Sequence, residues 1–193
     1  MSGTKPRPSR ADAEAAVRTL LAYIGDDPDR EGLRDTPKRF IKAYDDWFAG
    51  YKVDPESVLS TTFEEVEGYD DLVLLRNIKV ESHCEHHVAP IIGVAHVAYL
   101  PAGRVVGLSK IARLVDAYAR RLQSQEILND QVARTLDRVL APRGVAVVID
   151  ATHQCISTRG IHKDEVSCVT RTFLGAFETD QRLADRFFRL VGR

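Results

Sequence analysis

The chain has 193 residues, of which 44% are hydrophobic and 28% are charged, and its formal net charge at pH 7 is −1. A chain of this length can bury a sizeable core, either as one domain or as a small two-part unit. The near-neutral charge argues against a nucleic-acid-binding protein, because such a protein carries a strong basic excess. No apolar run approaches the roughly 20 residues that cross a bilayer, so a membrane is not an expected partner either.

The cysteine content and the N-terminus together indicate a cytoplasmic protein. Residues 1–10 are polar and contain two prolines, so we expect a flexible tail without a signal peptide. The chain has three cysteines, an odd number that does not suit a disulfide framework. In a reducing compartment, clustered cysteine and histidine side chains are expected to bind a metal rather than to form disulfides.

The first part of the chain is predicted to be helical, as an N-terminal region over residues 11–60. Apolar residues recur at helical spacing between positions 11 and 24, and Gly25 is placed to end that helix. A second helix is predicted to begin at Thr36 and Pro37, with the threonine hydroxyl as its cap and the proline in its first turn. Its apolar face ends before Gly50.

The remainder, residues 61–193, is predicted to form one domain in which strands and helices follow each other in pairs. Ser109 is expected to cap the first of the two helices, and Pro142 begins the turn that follows the second. Because two strands, two helices and two strands do not alternate singly, we expect the α+β class with antiparallel pairing. The predicted segments are strands at 72–80 and 91–100, helices at 109–122 and 125–140, strands at 145–149 and 166–177, and a last helix at 180–191.

The densest chemistry is the run Ser-His-Cys-Glu-His-His at residues 82–87. Cys84 and His87 are three positions apart, so a turn after a strand lets both side chains converge on one ion. Zinc accepts thiolate and imidazole ligands in a tetrahedral arrangement. Cys155, two residues after His153, is the predicted third ligand. Three protein ligands leave one position open for water, which is typical of a catalytic zinc site.

Two other interpretations of this run remain open. The site is closed and structural if His86 or His153 supplies a fourth ligand. Without a metal, His86 and His87 are polar residues at an interface. Cys168 is predicted to be a small buried side chain in the middle of a strand rather than a ligand.

Several residues near the predicted metal site can carry or direct protons. The candidates are His83, His86 and His153, because histidine as a residue type titrates in the range where zinc-bound water also ionises, at a pKa of about 7. Glu85, inside the same run, can orient a histidine as a hydrogen-bond partner.

Basic residues and a helix start predict a place for phosphate groups. Residues 107–110, Gly-Leu-Ser-Lys, stand at the beginning of a well-patterned helix, where unpaired N–H groups and the helix dipole favour anions. Lys110 adds a mobile cation, and Arg113 lies one turn further along. Arg159 follows the predicted ligand Cys155 by four residues, and Arg39 lies on an earlier helix.

Glu126 and Gln125 stand where the two long helices meet. A carboxylate accepts hydrogen bonds from both the ring N–H and the exocyclic amine of guanine, so Glu126 can distinguish guanine from adenine. The other interpretation of Glu126 is a first-turn residue that the helix dipole favours.

Four motifs together resemble one family, GTP cyclohydrolase I. They are Glu-Ser-His-Cys-Glu-His-His-Val-Ala-Pro at 81–90, Val-Gly-Leu-Ser-Lys-Ile-Ala-Arg-Leu-Val at 106–115, Gln-Ser-Gln-Glu at 123–126 and His-Gln-Cys-Ile-Ser-Thr-Arg-Gly at 153–160. Their order and separations agree with the family. The resemblance extends from about residue 36 through residue 177 and into the last helix.

The resemblance implies the tunnelling fold, or T-fold, in which antiparallel strands from many subunits close into a barrel with helices outside. It implies a toroidal homo-oligomer, typically a decamer, with active sites at subunit interfaces. It also implies Zn²⁺ as the cofactor, held by Cys84, His87 and Cys155.

The resemblance further implies roles for individual residues. His86 and His153 match the catalytic histidines, and we place Glu85 and Ser109 with them in the predicted catalytic group. Glu126 matches the carboxylate that recognises guanine, and Gln125 falls at another position in the pocket. The positions that match triphosphate contacts are Ser109, Lys110, Arg113, Arg159 and Arg39.

The implied reaction opens the imidazole ring of GTP by hydrolysis, with His153 protonating N7. Formate is released and 7,8-dihydroneopterin triphosphate is formed, the first step of tetrahydrofolate or pterin biosynthesis. A related enzyme that stops at an intermediate or takes a modified purine nucleotide is the alternative, because Ile127 stands where the family usually has arginine. A third hypothesis is a non-catalytic oligomeric binding protein with a closed zinc site.

Overall fold

The computed structural model describes residues 7–63 and 71–192, and these fall into two compact units. One unit ends at Phe48 and the other begins at Ala49. The predicted division of the chain after residues 10 and 60 stays a prediction. Residues 1–6 of the predicted tail lie outside the described residues.

The N-terminal unit contains two helices, α1 (Arg10–Tyr23) and α2 (Thr36–Trp47). Ser9 caps α1 in a capping box with Asp12, in which each side chain accepts from the other residue's backbone N–H. The expectation that the Thr36 hydroxyl caps α2 is wrong: Asp35 is the N-cap, and Thr36 is the first helical residue. The Thr36 hydroxyl instead donates to the carbonyl oxygen of Gly32 at 3.5 Å.

The second unit carries all the strands of the described residues and the remaining helices. A 3₁₀ helix at Ala49–Lys52 opens it. The other elements, in chain order, are α3 (Pro55–Val58), β1 (Thr62–Phe63), β2 (Val73–Cys84), β3 (Pro90–Leu100), β4 (Val105–Val106), α4 (Leu108–Ala119), β5 (Leu122–Gln123), α5 (Gln125–Leu140), β6 (Gly144–His153), α6 (Gln154–Ser157), β7 (Cys168–Gly175), α7 (Ala176–Thr179) and α8 (Gln181–Val191).

The main sheet has five strands in the order β5-β2-β3-β6-β7. The four long strands pair antiparallel, and only the short β5 runs parallel to its neighbour β2. The predicted α+β class with antiparallel pairing is therefore confirmed. The strands β2 and β6 continue beyond their predicted ends, to Cys84 and His153, so both strands carry the chain directly to predicted site residues.

Apolar side chains on the two faces of the sheet form two hydrophobic clusters. On one face, alternating residues of β6 such as Val145, Val147 and Ile149 pack in the same cluster as α4 and α5. On the other face, Ala146 and Val148 pack with Phe187 of α8. Because β6 is packed on both of its faces, the position of the strand, and of the residues at its end, is fixed within the second unit. Within residues 7–63 and 71–192, no helix has the length and apolarity that crossing a bilayer would need.

The start of α4 differs from the prediction. Gly107 is the N-cap and Leu108 is the first helical residue, so Ser109 lies inside the first turn and makes no capping hydrogen bond. Gly107 holds the N-cap position without a side chain, so the Ser109 hydroxyl, which is exposed, is available to a ligand.

Gly93 in β3 is a position where the sheet has no room for a side chain. Gly93 pairs with Ala151 of β6, and an added Cβ would lie 2.5 Å from the Cα and 2.6 Å from the Cβ of that alanine. It would also press on the backbone oxygen of Asp150. We expect Gly93→Ala to destabilise the protein by about 3 kcal/mol, which lowers the Tm by roughly 6 to 12 °C in a thermal scan.

Gly107→Ala is the matched control for this prediction. A Cβ at Gly107 would meet only the Cγ of Lys110, at 4.0 Å. The Tm of this variant should fall by less than about 4 °C, since an N-cap substitution of this kind costs up to about 1 kcal/mol. Equal Tm losses in the two variants would show that the close contact at Gly93 is not what constrains the position.

Candidate active site

Three of the predicted metal ligands converge in the structure. Cys84, His87 and Cys155 each offer one ligand atom, and these atoms all lie within 4.8 Å of one another. The Sγ of Cys84 is 4.0 Å from Nδ1 of His87. Cys84 is buried, Cys155 is half-buried and His87 is exposed, so the group opens to the surface on one side. A group of this composition can hold a metal ion.

The pairing of β2, β3 and β6 explains why residues so distant in the sequence meet here. His83 of β2 is paired with Pro90 of β3, and Ile91 of β3 is paired with His153 of β6. Cys84, the last residue of β2, and Cys155, two residues after the end of β6, therefore lie at the same end of the sheet, on the two sides of β3. The turn between β2 and β3 is closed by the amide of Cys84, which donates to Ala89 O at 2.8 Å, and this turn carries His87 toward both cysteines.

The ionisation of Cys155 depends on its surroundings in the ligand group. Burial raises the pKa of the Cys155 thiol, and the adjacent Cys84 raises it further. The positive charge of Arg159 acts in the opposite direction and favours the thiolate. A cation bound between the sulfurs would remove the penalty of two neighbouring negative charges, so this pair of thiols suits a metal better than it suits solvent.

His86 and Glu85 lie next to the ligand group. Nδ1 of His86 is 3.6 Å from Cys84 Sγ, and Nε2 of His86 is 3.8 Å from a carboxylate oxygen of Glu85. The side chain of His86 is 68% exposed, so it can turn toward a bound molecule. Glu85, which was expected to orient a histidine, thus lies beside His86, at a distance longer than a hydrogen bond.

His153 and Gln125 form a direct contact that the sequence did not predict. His153 is the last residue of β6, Gln125 is the first residue of α5, and His153 Nε2 is 2.8 Å from Gln125 Oε1. Burial lowers the pKa of His153, and the negative charge of Glu126 opposes that shift. Glu126 is exposed beside this pair, whereas Gln125 is buried.

The predicted phosphate-contacting residues are found on three elements. Ser109, Lys110 and Arg113 lie on the first turns of α4, and Arg113 lines a cavity of about 280 Å³. Arg159 is exposed on the loop after α6, close enough to influence Cys155. Arg39 lies on α2 in the N-terminal unit and forms an exposed ion pair with Asp35 at 3.5 Å.

Cys168 differs from its prediction in position. It is the first residue of β7 rather than a mid-strand residue, and it is half-buried. Its carbonyl oxygen accepts a hydrogen bond from Gln125 Nε2 at 2.9 Å. Burial and the nearby Glu126 both raise the pKa of its thiol. Cys168 therefore lies beside the candidate site without entering the ligand group, and no sequence signal distinguished this position.

The fold and this group of side chains define the class of protein: an α+β chain with a Cys-His-Cys group that can hold a metal ion and with histidines beside it. Residues 13–192 match the family model of GTP cyclohydrolase I. The chain belongs to the GTP cyclohydrolase I family, as the four sequence motifs predicted. The antiparallel sheet and its helices are thus those of a T-fold protein.

Curated relatives cover nearly the whole chain. A GTP cyclohydrolase 1 from Maricaulis maris is 60% identical over 187 residues, which are 97% of this chain and 91% of the relative. A GTP cyclohydrolase 1 from Allorhizobium ampelinum is 59% identical over 191 residues, 99% of this chain and 95% of the relative. Among solved structures, a QueF-like archaeosine synthase in the apo form is 21% identical with a TM-score of 0.45, over 54% of this chain and 93% of that chain.

Proposed function

We propose that this chain is a zinc-dependent GTP cyclohydrolase I that releases formate from GTP and forms 7,8-dihydroneopterin triphosphate. The observation that carries the proposal is the convergence of Cys84, His87 and Cys155 in a member of this family. The relatives named GTP cyclohydrolase 1, at about 60% identity over almost the full length, support the same activity.

The ligand group fits zinc by the chemistry of its donors. Two sulfurs and one imidazole nitrogen are ligands that Zn²⁺ accepts in a tetrahedral site, and three protein ligands leave a fourth position for a water molecule. When bound there, zinc would lower the pKa of that water to about 7 and so supply a nucleophile at neutral pH. Cys84, His87 and Cys155 are the residues that would hold it.

The histidines around this group would move the protons of the reaction. We assign His153 to protonating the departing ring nitrogen N7, and His86 to a second proton transfer during the addition of water and the loss of formate. Glu85 orients His86, from which it is separated by 3.8 Å. Ser109, which is exposed in the first turn of α4 and does not cap the helix, completes the proposed catalytic group.

The remaining site residues would bind GTP. Glu126, exposed beside His153, would accept hydrogen bonds from the N–H groups of guanine, and the adjacent Gln125 belongs to the same pocket. The triphosphate would lie against positive charges at the start of α4 and after α6, where a helix N-terminus also favours anions. These charges come from Lys110, Arg113 and Arg159, with Arg39 of α2 as a further contact.

The sheet supports the proposed homo-oligomer, for which a decamer is the expected form. Among the described residues, β7 pairs only with β6, and β2 has no partner on its outer side except β5 at His83 and Cys84. Because each step from β2 to β7 is antiparallel, these two outer strands run in opposite directions. The β7 strand of one copy can therefore extend the sheet at β2 of the next copy, and continued addition would close a barrel with active sites at the subunit boundaries.

Three free cysteines support a cytoplasmic location for the enzyme. Cys84 and Cys155 must remain thiols or thiolates to bind zinc, and a reducing compartment keeps them in that state.

Incubation of the zinc-loaded protein with GTP tests the proposal. Formate and the pterin product, followed by its absorbance, should form together in equimolar amounts. The formation of both should stop after zinc is removed with a chelator. Stoichiometric zinc binding without either product would overturn the proposed substrate.

The alternative is a related enzyme that stops at an intermediate or takes a modified purine nucleotide. Ile127 favours it, because this apolar side chain is 47% exposed directly after Glu126. Mass spectrometry of the same incubation separates the two: the alternative leaves a formylated or otherwise altered product in place of dihydroneopterin triphosphate.

A further inference from the structure

The buried side chain of Gln125 has a fixed orientation. Its Nε2 lies 3.0 Å from the carbonyl oxygen of Ile149, 2.9 Å from that of Cys168 and 3.2 Å from the hydroxyl of Thr170. Rotation of the amide by 180° would turn its oxygen toward two carbonyl oxygens, which cannot donate a hydrogen bond. The amide oxygen is therefore held on the side that faces His153.

This orientation decides which nitrogen of His153 carries a proton. Gln125 Oε1 lies 2.8 Å from His153 Nε2, and an amide oxygen can only accept. Nε2 must therefore donate. A neutral imidazole has one N–H, so Nδ1 of neutral His153 has no proton and can only accept.

We propose that Gln125 is a positioning residue that holds His153 in the Nε2-protonated tautomer and leaves Nδ1 as the one ring nitrogen that exchanges a proton with the substrate. This inference rests on the proposed function, in which His153 protonates the purine ring. It gives Gln125 a role through His153 instead of a direct contact with guanine. Before ring opening, Nδ1 takes up a proton from solvent, which makes His153 a cation. That proton then passes to the departing nitrogen, while the Nε2 proton stays in the hydrogen bond to Gln125 and the ring returns to its neutral Nε2-protonated form.

Asn129, one turn later on α5, provides a matched control. Its Nδ2 lies 3.3 Å from the carbonyl oxygen of Val147 and 2.9 Å from the hydroxyl of Thr172. Asn129 is as buried as Gln125, at 1% exposed, and likewise joins α5 to β6 and β7. No histidine is among its hydrogen-bond partners within the described residues. If Gln125 had only a structural role, substitution of Asn129 would therefore have the same effects as substitution of Gln125.

The tautomer can be measured directly in the zinc-loaded assembly. We would record solid-state ¹⁵N spectra of protein labelled at histidine and identify the His153 signals by their loss in His153→Asn. The expected spectrum of the wild-type protein has a protonated Nε2 and an unprotonated Nδ1. In Gln125→Met, which removes the acceptor at similar volume, the signals should move toward a mixture of tautomers.

Kinetics then separates positioning from folding. In Gln125→Met, kcat should fall roughly 10- to 100-fold, as for other residues that orient a functional histidine from behind, while KM changes by less than about 3-fold. Asn129→Leu should lower the Tm by a similar amount and keep kcat within about 2-fold of the wild type.

The outcomes distinguish this inference from the proposed function. A wild-type His153 whose neutral ring carries its proton on Nδ1 instead of Nε2 would overturn the positioning role, as would equal losses of kcat in Gln125→Met and Asn129→Leu. Wild-type protein that shows the Nε2-protonated tautomer but does not convert GTP would overturn the proposed function and leave the tautomer assignment standing.

Discussion

Replacing Cys155 with alanine is expected to remove bound zinc and to reduce formate release from GTP by more than about 100-fold. Loss of a residue behind a metal ligand already costs up to about 100-fold, and loss of the ligand itself should cost more. Cys155 is one of only three ligand atoms that converge within 4.8 Å in the described chain, so its removal leaves two, which do not retain the ion. Elemental analysis of the purified variant and a formate assay measure the two effects.

Cys168→Ala is the control for this prediction. Cys168 is also half-buried and lies beside the site, but its sulfur does not belong to the ligand group, and its carbonyl oxygen survives the substitution. This variant should keep one zinc per chain and most of its activity. If Cys155→Ala kept its zinc and its activity while Cys168→Ala lost both, the ligand assignment would be wrong.

Replacing His153 with asparagine is expected to slow product formation by roughly 100- to 10,000-fold, the range for loss of a general acid. Zinc should remain bound at one per chain, because His153 belongs to the proton-transfer group and not to the ligands. Zinc content and kcat, measured on the same preparation, test both parts of this statement.

The same substitution also separates the open site from the closed one. If His153 were a fourth ligand, the variant would lose zinc together with activity, as expected for a structural site. His162→Asn is a suitable control, since His162 lies on the exposed loop between α6 and β7, with a φ of 51° that asparagine tolerates. Its kcat should stay within about 2-fold of the wild type.

The sequence predicted the long elements well because their signals are local. The helix α5 was predicted at the residues where it lies, because apolar residues repeat along one face; the structure adds that Ser124 caps its start. The cap of α4 was assigned wrongly for a local reason too. Serine is a strongly preferred N-cap residue, but the N-cap of α4 is Gly107, and Ser109 lies in the first turn of the helix.

The candidate site was predictable to the extent that its residues cluster in the sequence. Cys84 and His87 are close neighbours, and Cys155 could be added as the third ligand because a histidine lies two residues before it. The contact between Gln125 and His153 could not be predicted, because it depends on α5 beginning over the end of β6. A glutamine at a helix start gives no sign of whether it faces solvent, substrate or another side chain.

The paired amides of Gln125 and Asn129 also show how a helix packs along a strand when the two have different rises per residue. Four helical residues advance about 6.0 Å, whereas two strand residues advance about 6.8 Å. Positions four apart on the helix therefore stay opposite positions two apart on the strand only over a short length. Gln125 donates to the carbonyl oxygen of Ile149 and Asn129 donates to that of Val147. The next helix residue at this spacing, Ala133, is apolar and buried. Among the described residues, the side-chain hydrogen bonds from α5 to β6 therefore come from the first two turns of the helix, at the end that lies beside His153.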